Sequence, residues 1–126
     1  MELGRHPFTE GDVAAVGGRM SQGLQIEVLR RGEKVVLAGR LDNRSAPVVR
    51  TLLHTAIEDG VGDLLVHVGQ LEIWDAGGLG VLVGAHRKAR QCDRRLVLTD
   101  VPPRQLRLLR ATRLSRMLTV QPLAVA

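Results

Sequence analysis

The side chains that could do acid–base or nucleophilic chemistry lie in two short segments. Asp42 and Ser45 follow a predicted strand, and Asp75 follows another. Both carboxylates should lie at one edge of a sheet, where a pair can act as general acid and base. A pair of this kind also needs a substrate cleft and shifted pKa values, and Ser45 lacks a histidine partner in a nucleophile motif. We therefore predict no catalytic residues and a protein that is not an enzyme.

A glycine-rich segment, residues 75–80, lies between a predicted strand and a predicted helix, where backbone amides favour an anion. No Lys-Ser or Lys-Thr pair follows the glycines, as a Walker A loop requires. Gly78, Gly80 and Gly84 miss the dinucleotide fingerprint by one residue. We predict no cofactor, and a tight turn in which Gly80 and Gly84 let the helix pack closely on the sheet.

The residues that could bind a metal are dispersed along the chain. The histidines lack the i, i+4 pairing of a zinc helix, and the single cysteine has no second thiol for a disulfide or a metal site. These residues are His6, His54, His67, His86 and Cys92. We predict no metal site.

The net charge of +5 is distributed unevenly over the 126 residues. Residues 1–85 contain 8 Lys or Arg and 11 Asp or Glu, whereas residues 86–126 contain 10 and 2. A basic third can bind nucleic acid through phosphate contacts. Single-stranded bases also need aromatic faces, and the chain has only Phe8 and Trp74. Nucleic-acid binding is therefore the lowest-ranked function, and a solvated basic surface is favoured.

Length and hydropathy indicate one globular domain, because a chain of this size usually builds a single core. No apolar run approaches the roughly 20 residues of a membrane span, and the first residues lack the apolar region of a signal peptide. We expect a cytoplasmic protein. Residues 1–22 show no sustained period and are predicted as an N-terminal extension, followed by a domain over residues 23–126.

The elements that must position the two segments follow from hydrophobic periodicity. Alternation from Leu24 predicts a strand, a turn at residues 30–33 that contains Gly32, and an antiparallel strand over 34–41. Ser45 is predicted to cap a helix that ends at Gly60. Its buried stripe should hold Val49, Leu52, Leu53, Ala56 and Ile57. A buried strand is expected over 64–68.

A second helix is predicted over residues 76–91, with a buried face formed by Gly78, Val81, Leu82, Ala85 and Ala89. Leu79 and Val83 project about 100° to 140° away from that face and should remain near the surface. A strand over 95–99 and a helix over 103–111 follow, with leucines and arginines on opposite faces of the helix. A short strand is predicted within 117–120.

Two blocks resemble the STAS domain of bacterial anti-sigma factor antagonists: Gly39-Arg40-Leu41-Asp42-Asn43-Arg44-Ser45-Ala46-Pro47 and Leu71-Glu72-Ile73-Trp74-Asp75-Ala76-Gly77-Gly78-Leu79-Gly80-Val81-Leu82. Residues 95–99 and 103–114 are similar as well, so the resemblance covers about residues 22–121. It implies a single α/β domain with a mixed sheet of four to five strands, flanked by helices, in which the first two strands are antiparallel.

The resemblance also implies a function in protein binding. Such an antagonist binds a serine-kinase anti-sigma factor and frees a sigma factor, until the kinase phosphorylates the serine directly after the motif aspartate. That position is Ala76 here, so no phosphorylation is expected at the usual site. The implied partner-binding residues are Asp42, Asn43, Ser45, Asp75, Ala76, Gly77, Gly78, Leu79 and Val83.

Two other settings for the module stay open at this point. A STAS scaffold, or a subunit associated with a transporter, would use the same loop to bind a different protein partner. Homodimerisation is a further alternative that the sequence does not decide. Each of these readings requires a protein partner and neither a metal nor a cofactor.

Overall fold

A computed structural model describes residues 23–123, in which strands and helices alternate after an initial strand pair. The predicted extension, residues 1–22, lies outside the described range. The strands are β1 (Leu24–Arg30), β2 (Lys34–Leu41), β3 (Asp63–Ile73), β4 (Arg95–Val101) and β5 (Thr119–Pro122). The helices are α1 (Ala46–Glu58), α2 (Ala76–Gln91) and α3 (Pro103–Ala111), with a 3-10 turn at Leu114–Arg116.

The five strands form one mixed sheet in the order β1-β2-β3-β4-β5. β1 and β2 are antiparallel and joined by the predicted turn, where Gly32 has a φ of 73° and the Glu33 N–H donates to the Arg30 carbonyl at 2.9 Å. The remaining neighbours pair in parallel. The predicted fold class is therefore confirmed, with five strands.

The helices cover one face of the sheet. Right-handed crossovers between sequential parallel strands put every connecting helix on the same side. The buried stripes predicted for α1 and α2 are buried in the structure and join strand residues such as Leu37, Val66 and Leu98 in one core cluster. Leu109 of α3 belongs to the same cluster. None of the helices within residues 23–123 is long and apolar enough to cross a membrane.

Two strands are longer than their hydrophobic patterns predict. β3 continues beyond Val68 to Ile73, because pairing with β2 resumes after a register shift between Val36 and Ala38. β4 continues beyond Thr99 to Val101, although Asp100 between them has a φ of 57°. Irregular backbone interrupts the alternation of side chains in both places, and pairing resumes beyond it, between β2 and β3 from Ala38 and between β4 and β5 at Val101.

Arg94 is a core residue, which corrects its assignment to the solvated basic surface. Its side chain is only 5% exposed. The guanidinium donates to the carbonyls of Ala56 (3.0 Å), Ile57 (2.9 Å) and Gly32 (2.6 Å), and through Nε to that of Gly62 (2.8 Å). Carbonyls at a helix end have no helical donor and can therefore accept from the guanidinium. The hydrogen bonds of Arg94 connect the last turn of α1 to the β1–β2 turn.

Candidate functional site

Asp75 connects the two sequence blocks. It is the N-cap of α2, and its carboxylate accepts from the Gly78 N–H at 3.0 Å. The second carboxylate oxygen accepts from the Asn43 N–H at 3.0 Å. One side chain therefore joins the start of α2 to the β2–α1 loop, and we call residues 42–45 and 75–78 together the junction.

Asp42 orders the other half of the junction. Its Oδ1 accepts from the N–H groups of Ser45 (3.1 Å) and Arg44 (2.9 Å). These hydrogen bonds, that from Ser45 above all, and the nearby Arg40 guanidinium lower the pKa of Asp42, against a smaller opposing effect of burial. The carboxylate stays ionised and gives the β2–α1 loop a defined shape.

Ser45 belongs to the junction but is buried under its surface, so its side chain is not accessible for the partner contact that the resemblance implied. It is fully buried, and its hydroxyl donates to the Arg40 carbonyl at 3.1 Å while accepting from the Asp42 N–H at 3.1 Å. It occupies the N-cap position of α1 but makes no side-chain cap hydrogen bond, contrary to prediction. The loop is so tight that its hydroxyl bonds backward to the chain before the helix.

The glycines that permit close packing are Gly77 and Gly78, not the predicted Gly80 and Gly84. A Cβ on Gly77 would overlap the Asn43 side-chain oxygen, and one on Gly78 would lie 2.7 Å from the Leu41 carbonyl oxygen. A Cβ on Gly80 or Gly84 would meet nothing within 4 Å. Gly78 is itself buried, so its role is to let α2 approach β2.

The outward face of α2 begins at the junction. Ala76, Leu79, Gly80 and Val83 fall within an arc of about 100° on the helix. Ala76 and Gly80 are exposed, whereas Leu79 and Val83 are half-buried. Leu79 packs partly against the core, so the expectation that it remains near the surface holds only in part. The result is a smooth, uncharged strip of small and aliphatic side chains.

Trp74 is a surface residue beside the junction that is not among the residues predicted from the sequence. It immediately precedes Asp75 and is 59% exposed. The Arg40 guanidinium lies 4.8 Å from the ring centroid, and the indole N–H donates to the Glu72 carboxylate at 3.2 Å. Its position directly before the motif aspartate is the feature of the sequence that could have placed it in the site. Its exposure, however, depends on how β3 ends.

The structure brings most of the predicted residues together. Asp42, Asn43, Asp75, Ala76 and Gly77 form the accessible junction, with Leu79 and Val83 on the adjoining helix face. The geometry offers a shaped surface and no acid–base pair, because the carboxylates of Asp42 and Asp75 are engaged by backbone amides. Within residues 23–123 no three His, Cys, Asp or Glu side chains cluster as metal ligands.

Comparisons with known proteins agree with this architecture. The family profile described as "Mlab, STAS domain" matches residues 25–120. An anti-sigma-B factor antagonist of Listeria monocytogenes is 32% identical over 88 residues, covering 69% of this chain and 76% of the relative. A Staphylococcus aureus protein of the same name is 30% identical over 87 residues, covering 69% and 81%.

Solved structures share the fold at lower identity. The Bacillus anti-sigma factor antagonist SpoIIAA, in its unphosphorylated form, superposes with a TM-score of 0.59 at 24% identity, covering 81% of this chain and 89% of its own. An anti-sigma-factor antagonist (STAS) domain protein from Planctomyces limnophilus gives 0.61 at 14% identity, covering 77% and 89%. With the profile match and the curated relatives, these findings show that the chain belongs to the STAS domain family, among the bacterial anti-sigma factor antagonists.

Proposed function

We propose that this protein binds an anti-sigma factor of the serine-kinase type through the junction and the outward face of α2, and so frees a sigma factor. The carrying observation is the exposed Ala76 methyl group, at the first turn of α2 and beside the Asp75 cap. The relatives' names as antagonists of an anti-sigma-B factor support this partner class.

Because Ala76 replaces the serine that is phosphorylated in such antagonists, binding would not be switched off by phosphorylation at this position. A phosphate there would add about −1.5 to −2 charges beside Asp75 and disfavour an acidic or apolar partner surface. A methyl group has no oxygen that could receive a phosphoryl group. The strip formed with Leu79, Gly80 and Val83 therefore stays small and uncharged, as an apolar contact requires.

The proposed role is one of binding and not of catalysis, and it belongs in the cytoplasm, where sigma factors act. The polar side chains of the junction hold its backbone in place. The Asp42 and Asp75 carboxylates accept hydrogen bonds from backbone amides, and Ser45 is buried. The proposal requires no dimer, and sedimentation velocity of the free protein checks its oligomeric state.

Capture of the kinase tests the proposal. Serine-kinase anti-sigma factors encoded by the same genome are expected to co-purify with the wild-type protein. Gly80→Arg should weaken capture at least tenfold, because the new side chain projects into the docking strip while arginine favours the helix over glycine. The matched control is Thr55→Arg, on the exposed face of α1, which should bind as wild type. Equal binding by Gly80→Arg would contradict the docking surface, and no capture of any such kinase would contradict the function.

Phosphorylation tests the constitutive state separately. Wild-type protein incubated with the captured kinase and ATP should show no added phosphate by intact mass measurement. Ala76→Ser should gain one phosphate and then lose affinity for the kinase, since position 76 is exposed at the helix start. A stoichiometric phosphate on the wild-type domain would show that another residue has taken over the switch.

A further inference from the structure

Trp74 is an exposed aromatic side chain that its neighbours hold in one orientation. Arg40 stacks over one face of the ring, with 4.8 Å from the guanidinium carbon to the centroid, and Glu72 accepts the indole N–H at 3.2 Å. Because Trp74 is 59% exposed, these contacts do not bury it in the core. An aromatic side chain that is ordered before binding loses little entropy on association, which is the property of an interface hot spot.

A cleft of about 460 Å³ opens beside this ring, between the end of β3 and α3. Its base is fixed, because the buried Gln105 amide donates to the Leu71 carbonyl at 2.8 Å. Leu108 and Ile73 supply apolar walls, and Arg104 lies 3.5 Å from Glu72 at the rim. The volume falls in the range of small binding pockets, so the cleft has room for a bulky apolar side chain.

The exposed surface of α3 and of the turn that follows it is strongly basic. Residues 103–123 contain five arginines and no Asp or Glu, and all five are exposed: Arg104, Arg107, Arg110, Arg113 and Arg116. Within the described part of the chain, only Arg104 of these lies within ion-pair distance of a carboxylate. The field at this end of α3 therefore favours an acidic ligand.

We propose that the Trp74 cleft and the α3 arginines form a second docking surface, which takes an acidic segment of the protein partner with a bulky apolar residue seated against Trp74. The inference rests on the proposed function for the identity of the partner, since Trp74 adjoins Asp75 and the surface is continuous with the junction. A protein segment fits better than nucleic acid, because one ring makes no stacking series and the cleft has apolar walls of Ile73 and Leu108.

Fluorescence of Trp74, the only tryptophan of the chain, reports on this surface directly. The probe is a short peptide with phenylalanine flanked by glutamates, titrated into the full-length protein. We expect a saturable fluorescence change that weakens at least tenfold when lysine replaces glutamate, and also when alanine replaces phenylalanine. Added salt should weaken the peptide's binding, because exposed charges are screened.

Charge-reversal variants assign the effect to α3. Arg104→Glu with Arg107→Glu should weaken peptide binding at least tenfold, because Arg104 lines the cleft and Arg107 lies one turn further along α3. The matched control, Arg30→Glu with Arg31→Glu, carries the same net charge change at exposed positions near the β1–β2 turn and should bind as wild type. Equal loss in both double variants would overturn the proposed location, and circular dichroism of each variant confirms folding.

The outcomes separate this inference from the proposed function. If wild type and Trp74→Ala capture the anti-sigma kinase equally well and the peptide gives no response, the second surface is wrong while the proposed function stands. If no kinase is captured but the acidic peptide binds as described, the surface stands and its partner belongs to another class. A DNA oligonucleotide that changes Trp74 fluorescence at lower concentration than the peptide would overturn the inference in favour of nucleic acid.

Discussion

Arg94 shows how far the role of a single residue can depart from its residue type. A charge in a basic third of the chain is expected in solvent, yet this guanidinium is buried and donates to carbonyls from two separate turns. Asp93 before it has a φ of 58°, which directs the chain from the end of α2 back toward the sheet. The neighbouring Arg95 forms an exposed pair with Asp63 at 2.8 Å.

Arg94→Met should lower the free energy of unfolding by about 3 kcal/mol, because several buried carbonyls lose a charged donor at once. Urea denaturation followed by circular dichroism measures the change. Arg95→Met is the matched control and should leave the midpoint nearly unchanged, since its pair with Asp63 is exposed to solvent. A similar loss from both variants would show that Arg94 is no more important to the fold than its neighbour.

At the scale of elements, periodicity was a reliable guide wherever a helix packs on one side of the sheet. The five residues predicted for the buried face of α2 are all buried, and the bounds of α2 and α3 agree with prediction. The roles of the α2 glycines were not predicted correctly, because any glycine inside a helix suggests close packing in the sequence. Space around each glycine depends on the neighbouring elements, and of the four glycines in α2 only Gly77 and Gly78 lack it.

Gly80→Ala and Gly84→Ala should each raise the free energy of unfolding by about 0.5 to 1 kcal/mol, because alanine favours the helix and the added methyl group meets nothing. Gly78→Ala should lower it by about 2 kcal/mol, since its methyl group would press on the Leu41 carbonyl. Thermal and urea unfolding of the three variants give the comparison. Destabilisation by Gly80→Ala would mean that α2 packs more closely than this structure shows.

At the scale of the whole molecule, the carboxylates of the junction and the arginines of α3 lie on different elements. The junction carries the Asp42 and Asp75 carboxylates, whereas the surface of α3 carries only arginines. Asp42 and Asp63 both have a pKa below the ordinary value of 3.8, Asp42 mainly through the Ser45 N–H and Asp63 mainly through its hydrogen bond with Arg95. The Asp42 carboxylate, which holds the β2–α1 loop, therefore links folding to pH, whereas the exposed pair of Asp63 with Arg95 contributes little.

A carboxylate whose pKa is lower in the folded state stabilises the protein at every pH above its pKa in the unfolded state. This stability is lost as the pH falls through the pKa of the folded state. The stability that the Asp42 charge contributes should therefore be constant near neutral pH and decline below about pH 4. Asp42→Asn should melt at a lower temperature than wild type at pH 7, and the difference should shrink below pH 4. A melting difference that is independent of pH would show that the Asp42 charge has no role in holding the β2–α1 loop.

By itself the sequence determined the α/β order, the antiparallel first pair, the buried helix faces and the absence of a phosphate-accepting oxygen at Ala76, because each depends on local pattern or residue type. Only the tertiary structure decided that Ser45 is buried, that Gly77 and Gly78 make the close contacts, and that Trp74 stands exposed beside a cleft. These features arise where the β2–α1 loop, the end of β3 and α3 meet across many intervening residues. These features depend on packing between segments that are distant in the sequence, so no local sequence pattern predicts them.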